Sequence, residues 1–172
     1  MHASTGSVAS VAYVALGSNL GDRIGHLRTA RAAIDAAPSC VVALSSSLYQ
    51  TEAWGSAVPQ PDYLNAVIKV KTSLKPQQLW TLIAGIELAR GRARSGTANA
   101  ARTLDIDVLL FDDMVMNTSA LVLPHPRMHL RKFVLLPLLE IAPDITIPGW
   151  GAASKLLPHT IDSEPRKLSH NF

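Results

Sequence analysis

Two stretches of the chain alternate apolar and polar side chains residue by residue, and an amphipathic helical pattern lies upstream of each. From Tyr63 to Lys71, Leu64, Ala66, Ile68 and Val70 point one way. Tyr63, Asn65, Lys69 and Lys71 point the other way, with Val67 among them. From Thr103 to Phe111, Leu104, Ile106, Val108 and Leu110 point inward while Asp105 and Asp107 point outward. Period-two alternation belongs to strands with one buried face. It confines each segment to a sheet covered mainly on one side.

The remaining elements fit around these strands. Val8 to Leu16 reads as a buried first strand. Gly17 to Asp22 is turn chemistry, with Asp22 as the N-cap of a helix striped by Ile24, Leu27, Arg31 and Ile34 and closed by Pro38. Val41 to Tyr49 is a second, less regular strand, and Thr51 to Asp62, holding Gly55, Pro59 and Pro61, is a loop. Pro76 opens a second helix with the stripe Leu79, Leu82, Ile83 and Ile86, and Gly91 ends it. Gly91 to Ala101 lacks apolar periodicity and reads as a mobile loop. Asp112-Asp113 turns into a strand from Val115 to Leu123, Phe133 to Ile141 is helical despite Pro137, and the chain beyond Pro143 holds short elements only. Strand, helix, strand, strand, helix, strand is the order of an α+β, ferredoxin-like βαββαβ core with an antiparallel sheet and extra C-terminal elements. Two helices would cover one face and leave the other open at least in part. The 172 residues suit a single domain, 1–172, with residues 1–7 as a flexible tail.

Composition narrows the setting. Hydrophobic residues make up 48%, enough for a real core, and the formal charge of +3 suits an anionic small ligand at least as well as a nucleic acid. The single cysteine, Cys40, allows neither an internal disulfide nor a cysteine zinc cage. No apolar run approaches the roughly 20 residues of a membrane span, and Met1 to Ser7 lacks the pattern of a signal peptide. A cytoplasmic monomer without membrane or nucleic-acid partners is expected.

Asp105 and Asp107, at i and i+2 on a strand, share a face with Cβ atoms about 6.5–7 Å apart. Magnesium is often held by one or two carboxylates together with substrate phosphates, and this pair could bracket one ion or share two. Asp-x-Asp alone is as readily a solvated strand face. Arg92, Arg94 and Arg102 are spaced so that they could converge on triphosphate oxygens, for which guanidinium forks are well shaped, while a solvated basic helix end fits Arg92 and Arg102 about as well. A basic helix end explains Arg90 better. His125, stiffened by Pro124 and Pro126, is a candidate phosphate contact. Gly17 to Asp22 has neither the lysine ending of a phosphate loop nor dinucleotide-type glycine spacing, so a tight strand-to-helix turn is the better reading.

Four motifs in register then give a family resemblance. Ala15-Leu16-Gly17-Ser18-Asn19-Leu20-Gly21-Asp22, Pro61-Asp62-Tyr63-Leu64-Asn65-Ala66, Arg102-Thr103-Leu104-Asp105-Ile106-Asp107 and Leu123-Pro124-His125-Pro126-Arg127 together resemble the 6-hydroxymethyl-7,8-dihydropterin pyrophosphokinases of folate biosynthesis. The likeness runs from about Val11 to about Pro148. It implies transfer of pyrophosphate from ATP to the pterin's hydroxymethyl oxygen, releasing AMP. By the same resemblance, Asp105 and Asp107 hold two Mg²⁺ ions. Arg92, Arg94, Arg102, His125 and Arg131 contact the triphosphate, with Arg92 and Arg102 counted as catalytic beside the aspartates. Tyr63 and Phe133 sandwich the pterin, Asn65 bonds its polar edge, and backbone groups near Thr51 and Trp54 complete the pocket. One departure stands out. Where members often carry a basic residue, an aromatic and Gly-Pro before the motif arginine, this chain reads Ala98-Asn99-Ala100-Ala101. That removes an aromatic lid and loosens the approach to Arg102.

Two other classes compete. A ferredoxin-like RNA-binding module would stack bases on aromatics of its central strands. Aromatic residues are only 5% here, and the candidate central strand offers carboxylates, which repel a polyanion. A non-catalytic relative that binds pterin or nucleotide is the third reading, suggested by the altered 98–101 segment.

Overall fold

The computed structural model describes residues 9–53, 58–91, 101–169 and 172. The expected tail at 1–7 and most of the expected loop at 91–101 lie outside the described residues, as do Trp54, Arg92 and Arg94.

In chain order the core elements are β1 (Ser10–Ser18), α1 (Arg23–Asp35), β2 (Cys40–Ser45), β3 (Tyr49–Thr51), β4 (Tyr63–Thr72), α2 (Pro76–Ala89) and β5 (Asp105–Phe111). Two short strands, β6 (Met116–Asn117) and β7 (Val122–Leu123), form a small hairpin. A 3-10 turn (Met128–Leu130) then leads into α3 (Lys132–Ile141). The hairpin β8 (Thr146–Ile147) and β9 (Gly151–Ala152), a second 3-10 segment (Ala153–His159) and β10 (Arg166–Lys167) complete the described chain. None of the described helices is long and apolar enough to cross a membrane.

The main sheet is antiparallel throughout. β4 pairs with β1 and β1 with β5; β2 and β3 share the other edge of β4, and β10 extends the sheet beyond β3. This is the expected βαββαβ core. Asp22 caps α1 by accepting the Gly25 N–H at 3.0 Å. Gly91 follows the α2 C-cap at φ +77°, a left-handed conformation that glycine adopts at little cost. The two helices cover one face, where Ala12, Val14, Leu16, Leu64, Ile68 and Val70 meet Leu27, Ile34, Leu79 and Ile83. The second face is covered in part: Val67, Leu109 and Leu110 pack under Val134, Leu135, Leu138 and Ile147. What stays open is the end of the sheet where β1 and β4 meet the start of β5.

Three expectations need correction. Leu110 does not face the helices with Val108. The register shifts between Tyr13 and Val14, so Leu109 is an extra residue in β5, and Leu109 and Leu110 both join the second cluster. The strand expected over Val41–Tyr49 is two strands. Ser46 interrupts it by placing its own Oγ on the Val67 N–H at 3.0 Å, a side chain standing in for a ladder bond. The strand expected over Val115–Leu123 is the β6–β7 hairpin, folded back because Thr118 bonds the Leu121 backbone through both N and Oγ1.

Polar ties fasten the C-terminal region to the sheet. Glu140 on α3 accepts hydrogen bonds from Ser47 N at 3.0 Å, Ser47 Oγ at 2.7 Å and Tyr49 Oη at 2.8 Å, and lies 3.5 Å from Lys167 Nζ. Burial pushes its carboxyl up, but the bonds from Ser47 and Tyr49 and the Lys167 charge outweigh this and hold it below the usual carboxylate range. A lowered folded pKa contributes stability above the unfolded value and loses it as pH falls through the folded one. Glu140→Ala is therefore expected to lower unfolding free energy by about 1–2 kcal/mol at pH 7. In urea melts the gap should narrow steadily as the buffer is taken below pH 4.

Candidate active site

The pairing register builds the site floor. Gly17 on β1 lies between Asn65 on β4 and Asp105 on β5, and Ala15 lies between Val67 and Asp107. These positions face away from α1 and α2, so Asn65, Asp105 and Asp107 rise from adjacent strands on one side. A Cβ on Gly17 would sit 3.3 Å from Asn65 Oδ1 and 3.9 Å from a Tyr63 ring carbon. Glycine here keeps the floor low; it is a strand residue, not part of the turn that the sequence suggested.

Around this floor opens a cavity of about 490 Å³. Its lining includes Thr51, Tyr63 and Asn65 from one side and Arg102, Asp105 and Asp107 from another. His125, Arg131 and Phe133 close it from the segment leading into α3. Of the residues singled out from sequence, all those within the described chain thus line one cavity. Trp54, Arg92 and Arg94 fall outside the described residues.

Each side chain has a support. Asn65, 7% exposed, donates from Nδ2 to Thr51 Oγ1 at 2.9 Å. Arg102 Nη1 lies 3.1 Å from Asp105 Oδ1. The buried Glu87 of α2 accepts the Ile106 N–H at 2.7 Å and so pins the strand between the two aspartates from the opposite face. The His125 backbone N–H donates to the Leu109 carbonyl at 2.9 Å, anchoring the imidazole beside β5. Its Nδ1 accepts the Arg127 N–H at 3.2 Å, so the proton of the neutral ring sits on Nε2, which lies 3.8 Å from Asp107 Oδ2. Burial, then the charges of Arg131 and Arg127, push His125 down to about 4. Burial and Arg127 likewise pull the Arg131 guanidinium down, the mark of a cationic cluster that an anion would relieve. Arg131 also lies over the Phe133 ring, 5.5 Å from its centroid. Burial raises the Tyr63 phenol, keeping that wall neutral.

Three contributors escaped the sequence reading. Asn19, 1% exposed, donates from Nδ2 to Gln60 Oε1 at 3.0 Å and to the Pro61 carbonyl at 3.2 Å. Its Oδ1 accepts the Arg102 N–H at 2.8 Å, and its own N–H donates to the Arg102 carbonyl at 3.1 Å. The asparagine thus ties the segment before Tyr63 to the one before Asp105; an Asn following a strand was the available signal. Arg127 adds a second guanidinium beside Arg131 in the lining. Asp162 lines the cavity from the C-terminal segment, and no local pattern marked it.

Carboxylates beside guanidinium groups suit an anionic ligand, and the rings of Tyr63 and Phe133 in the same lining suit a flat one. Asp105 and Asp107 are hard oxygen donors on one face. Among the described residues no three His, Cys, Asp or Glu side chains gather into a metal site. An ion held here would complete its shell with ligand oxygens and water, which is the habit of magnesium.

A family model described as 7,8-dihydro-6-hydroxymethylpterin-pyrophosphokinase (HPPK) matches residues 13–143. The chain is 37% identical to the 2-amino-4-hydroxy-6-hydroxymethyldihydropteridine pyrophosphokinase of Haemophilus influenzae, over 92% of this chain and 98% of that one. It is 42% identical to the Bacillus subtilis enzyme of the same name, over 79% of this chain and 80% of that one. Among solved structures, a triple-mutant HPPK-DHPS from Plasmodium falciparum superposes with a TM-score of 0.70 at 16% identity, covering 90% of this chain. An HPPK-DHPS in complex with substrates superposes at 0.65 and 13% identity, covering 87%. The chain spans only 45% and 43% of those two chains, and at such identity the likeness shows the fold alone.

Two outcomes are expected. Asn19→Ala strands buried partners in two segments and should cost about 2–3 kcal/mol in denaturant unfolding. In the ligand-free protein, NMR titration of the His125 ring should show a midpoint near 4, not near 6.5. Because the unfolded chain binds that proton first, His125 makes stability fall as pH drops from about 6.5 toward 4.

Proposed function

We infer that this chain, which belongs to the 7,8-dihydro-6-hydroxymethylpterin-pyrophosphokinase family, performs the family's reaction in the cavity just described. It is a diphosphotransferase of folate biosynthesis, with ATP and 6-hydroxymethyl-7,8-dihydropterin as its small-molecule substrates. The observation that carries the site assignment is the meeting, in one cavity, of a carboxylate pair, a cationic cluster and two aromatic walls.

Tyr63 and Phe133 take the flat pterin between them, and Asn65, oriented by Thr51, bonds its polar edge. Arg102 and Arg131 bind phosphate oxygens, and the Nε2 proton of neutral His125 donates to them without adding a charge that changes near pH 7. Arg92 and Arg94 join this grip by the family resemblance. Asp105 and Asp107 would hold Mg²⁺, two ions by that resemblance, and the donor set fits a hard cation whose shell the phosphates complete. Bound there, the metal supplies charge neutralisation on the triphosphate. The hydroxymethyl oxygen forms a bond to the β-phosphorus and gives up its proton to solvent, the bond from that phosphorus to the α,β-bridging oxygen breaks, and AMP leaves with that oxygen. Positioning and electrostatics account for most of such a rate. We place the reaction in the cytoplasm, carried out by a monomer of one domain; the single buried cysteine, which can form no internal disulfide, suits that reducing compartment.

Purified protein with ATP, Mg²⁺ and the hydroxymethyl pterin is expected to release AMP, and no AMP above background would sink the assignment. Asp107→Ala should lower turnover by roughly 10²-fold or more. Asp113→Ala, in the turn after β5, should leave it unchanged. Equal rates for Asp107→Ala and the parent protein would remove the metal role from that carboxylate.

A further inference from the structure

Helix α3 begins between two walls of the site, with Arg131 at its N-cap and Phe133 in its first turn. Arg131 gives no side-chain cap, so the first N–H groups of the helix need acceptors from elsewhere. Asp162, some thirty residues downstream, supplies them. Its Oδ1 accepts the Lys132 N–H at 2.7 Å and its Oδ2 accepts the Phe133 N–H at 3.1 Å. A carboxylate at a helix N-terminus is favoured by the dipole as well as by the two bonds.

Asp162 belongs to a strap that crosses the site's rim. The Ile161 N–H donates to the Leu130 carbonyl at 3.0 Å, and Glu164 pairs with Lys132 Nζ at 2.7 Å. Further on, β10 pairs with β3 opposite Tyr49 and Gln50, and Arg166 bonds Gln50 Oε1 at 2.8 Å. β3 ends at Thr51, which orients Asn65. One strap therefore touches the supports of both the Phe133 wall and the Asn65 edge.

We propose that Asp162 is a positioning residue for the reaction: by capping α3 from the strap it fixes where Arg131 and Phe133 stand, and so the width of the slot opposite Tyr63. Its effect passes through the helix start and requires no contact with substrate. The proposal rests on the reading of Tyr63, Asn65 and Phe133 as the pterin site. Its signature is an acceptor requirement: the side chain must offer oxygen to two backbone donors, and its charge is secondary.

Four variants of the full chain test this: Asp162→Ala, Asp162→Asn, Glu164→Ala and Phe133→Ala. Hydroxymethyl pterin binding is measured by fluorescence titration with Mg²⁺ and a non-hydrolysable ATP analogue, alongside steady-state kinetics and amide hydrogen exchange at Lys132 and Phe133. Asp162→Ala should speed exchange at both amides, weaken pterin binding roughly tenfold and raise its KM while changing kcat far less. Asp162→Asn keeps one acceptor oxygen for the two donors and should fall between the parent and Asp162→Ala in both readouts. Glu164→Ala, an exposed tie in the same strap, should stay within about twofold of the parent. Native affinity in Asp162→Ala overturns the proposal. So does an Asn variant that loses pterin affinity while both amides exchange at the parent's rate, since the charge would then act on the ligand directly. If Phe133→Ala binds pterin normally, the site reading itself fails; if it binds weakly while Asp162→Ala binds normally, only the Asp162 proposal fails.

Discussion

The register of three antiparallel strands governs this molecule. Asn65, Gly17 and Asp105 stand in one row across β4, β1 and β5, with Ala15 and Asp107 one step along. Side chains alternate faces with period two, so a slip of one residue in β5 would bury both aspartates under α1 and α2 and expose Leu104, Ile106 and Val108. The apolar set on the helix side is what forbids that slip, since each fully buried aliphatic side chain contributes about 1.5–3 kcal/mol. The chemistry on the open face is thus positioned by the packing on the closed one.

Polar bonds then refine what the sheet sets coarsely. Asn19 is almost fully buried and bonds two segments that bring Tyr63 and Asp105 to the site. Glu87 reaches from α2 to the backbone between the aspartates, and Glu140 holds α3 against β3. Asn19 and Glu87 place their polar groups where water is scarce, so a misplaced partner there would leave a costly unpaired donor or acceptor. The same economy shows at His125. Burial, then the arginines nearby, leave it neutral, and a backbone N–H on Nδ1 turns its remaining donor toward the aspartate side of the cavity.

Much of this was legible in the chain itself. The alternation over 63–71 separated Tyr63 and Asn65 from the core residues correctly, because both faces of β4 carry unambiguous side chains. The alternation over 103–111 placed Asp105 and Asp107 correctly but failed at Leu110, because the extra residue Leu109 reverses the phase and both side chains are leucine. A bulge between apolar residues leaves no trace in a polar–apolar pattern. The break at Ser46 and the hairpin at Thr118 were likewise hidden, since serine and threonine become strand-breakers only when their hydroxyls find a particular backbone partner.

The sequence by itself determined the order of the βαββαβ core, the side on which Tyr63, Asn65, Asp105 and Asp107 face, and the membership of the pyrophosphokinase family. Those follow from periodicity and motif, which are local properties of the chain. Tertiary structure alone decided that Gly17 is the floor between Asn65 and Asp105, that Asn19 joins two distant segments, and that Asp162 caps the helix bearing Phe133. These are contacts between residues 29 to more than 80 positions apart. Their partners are chosen by where the folded backbone leaves an N–H or a carbonyl unpaired, and no run of neighbouring residues encodes that.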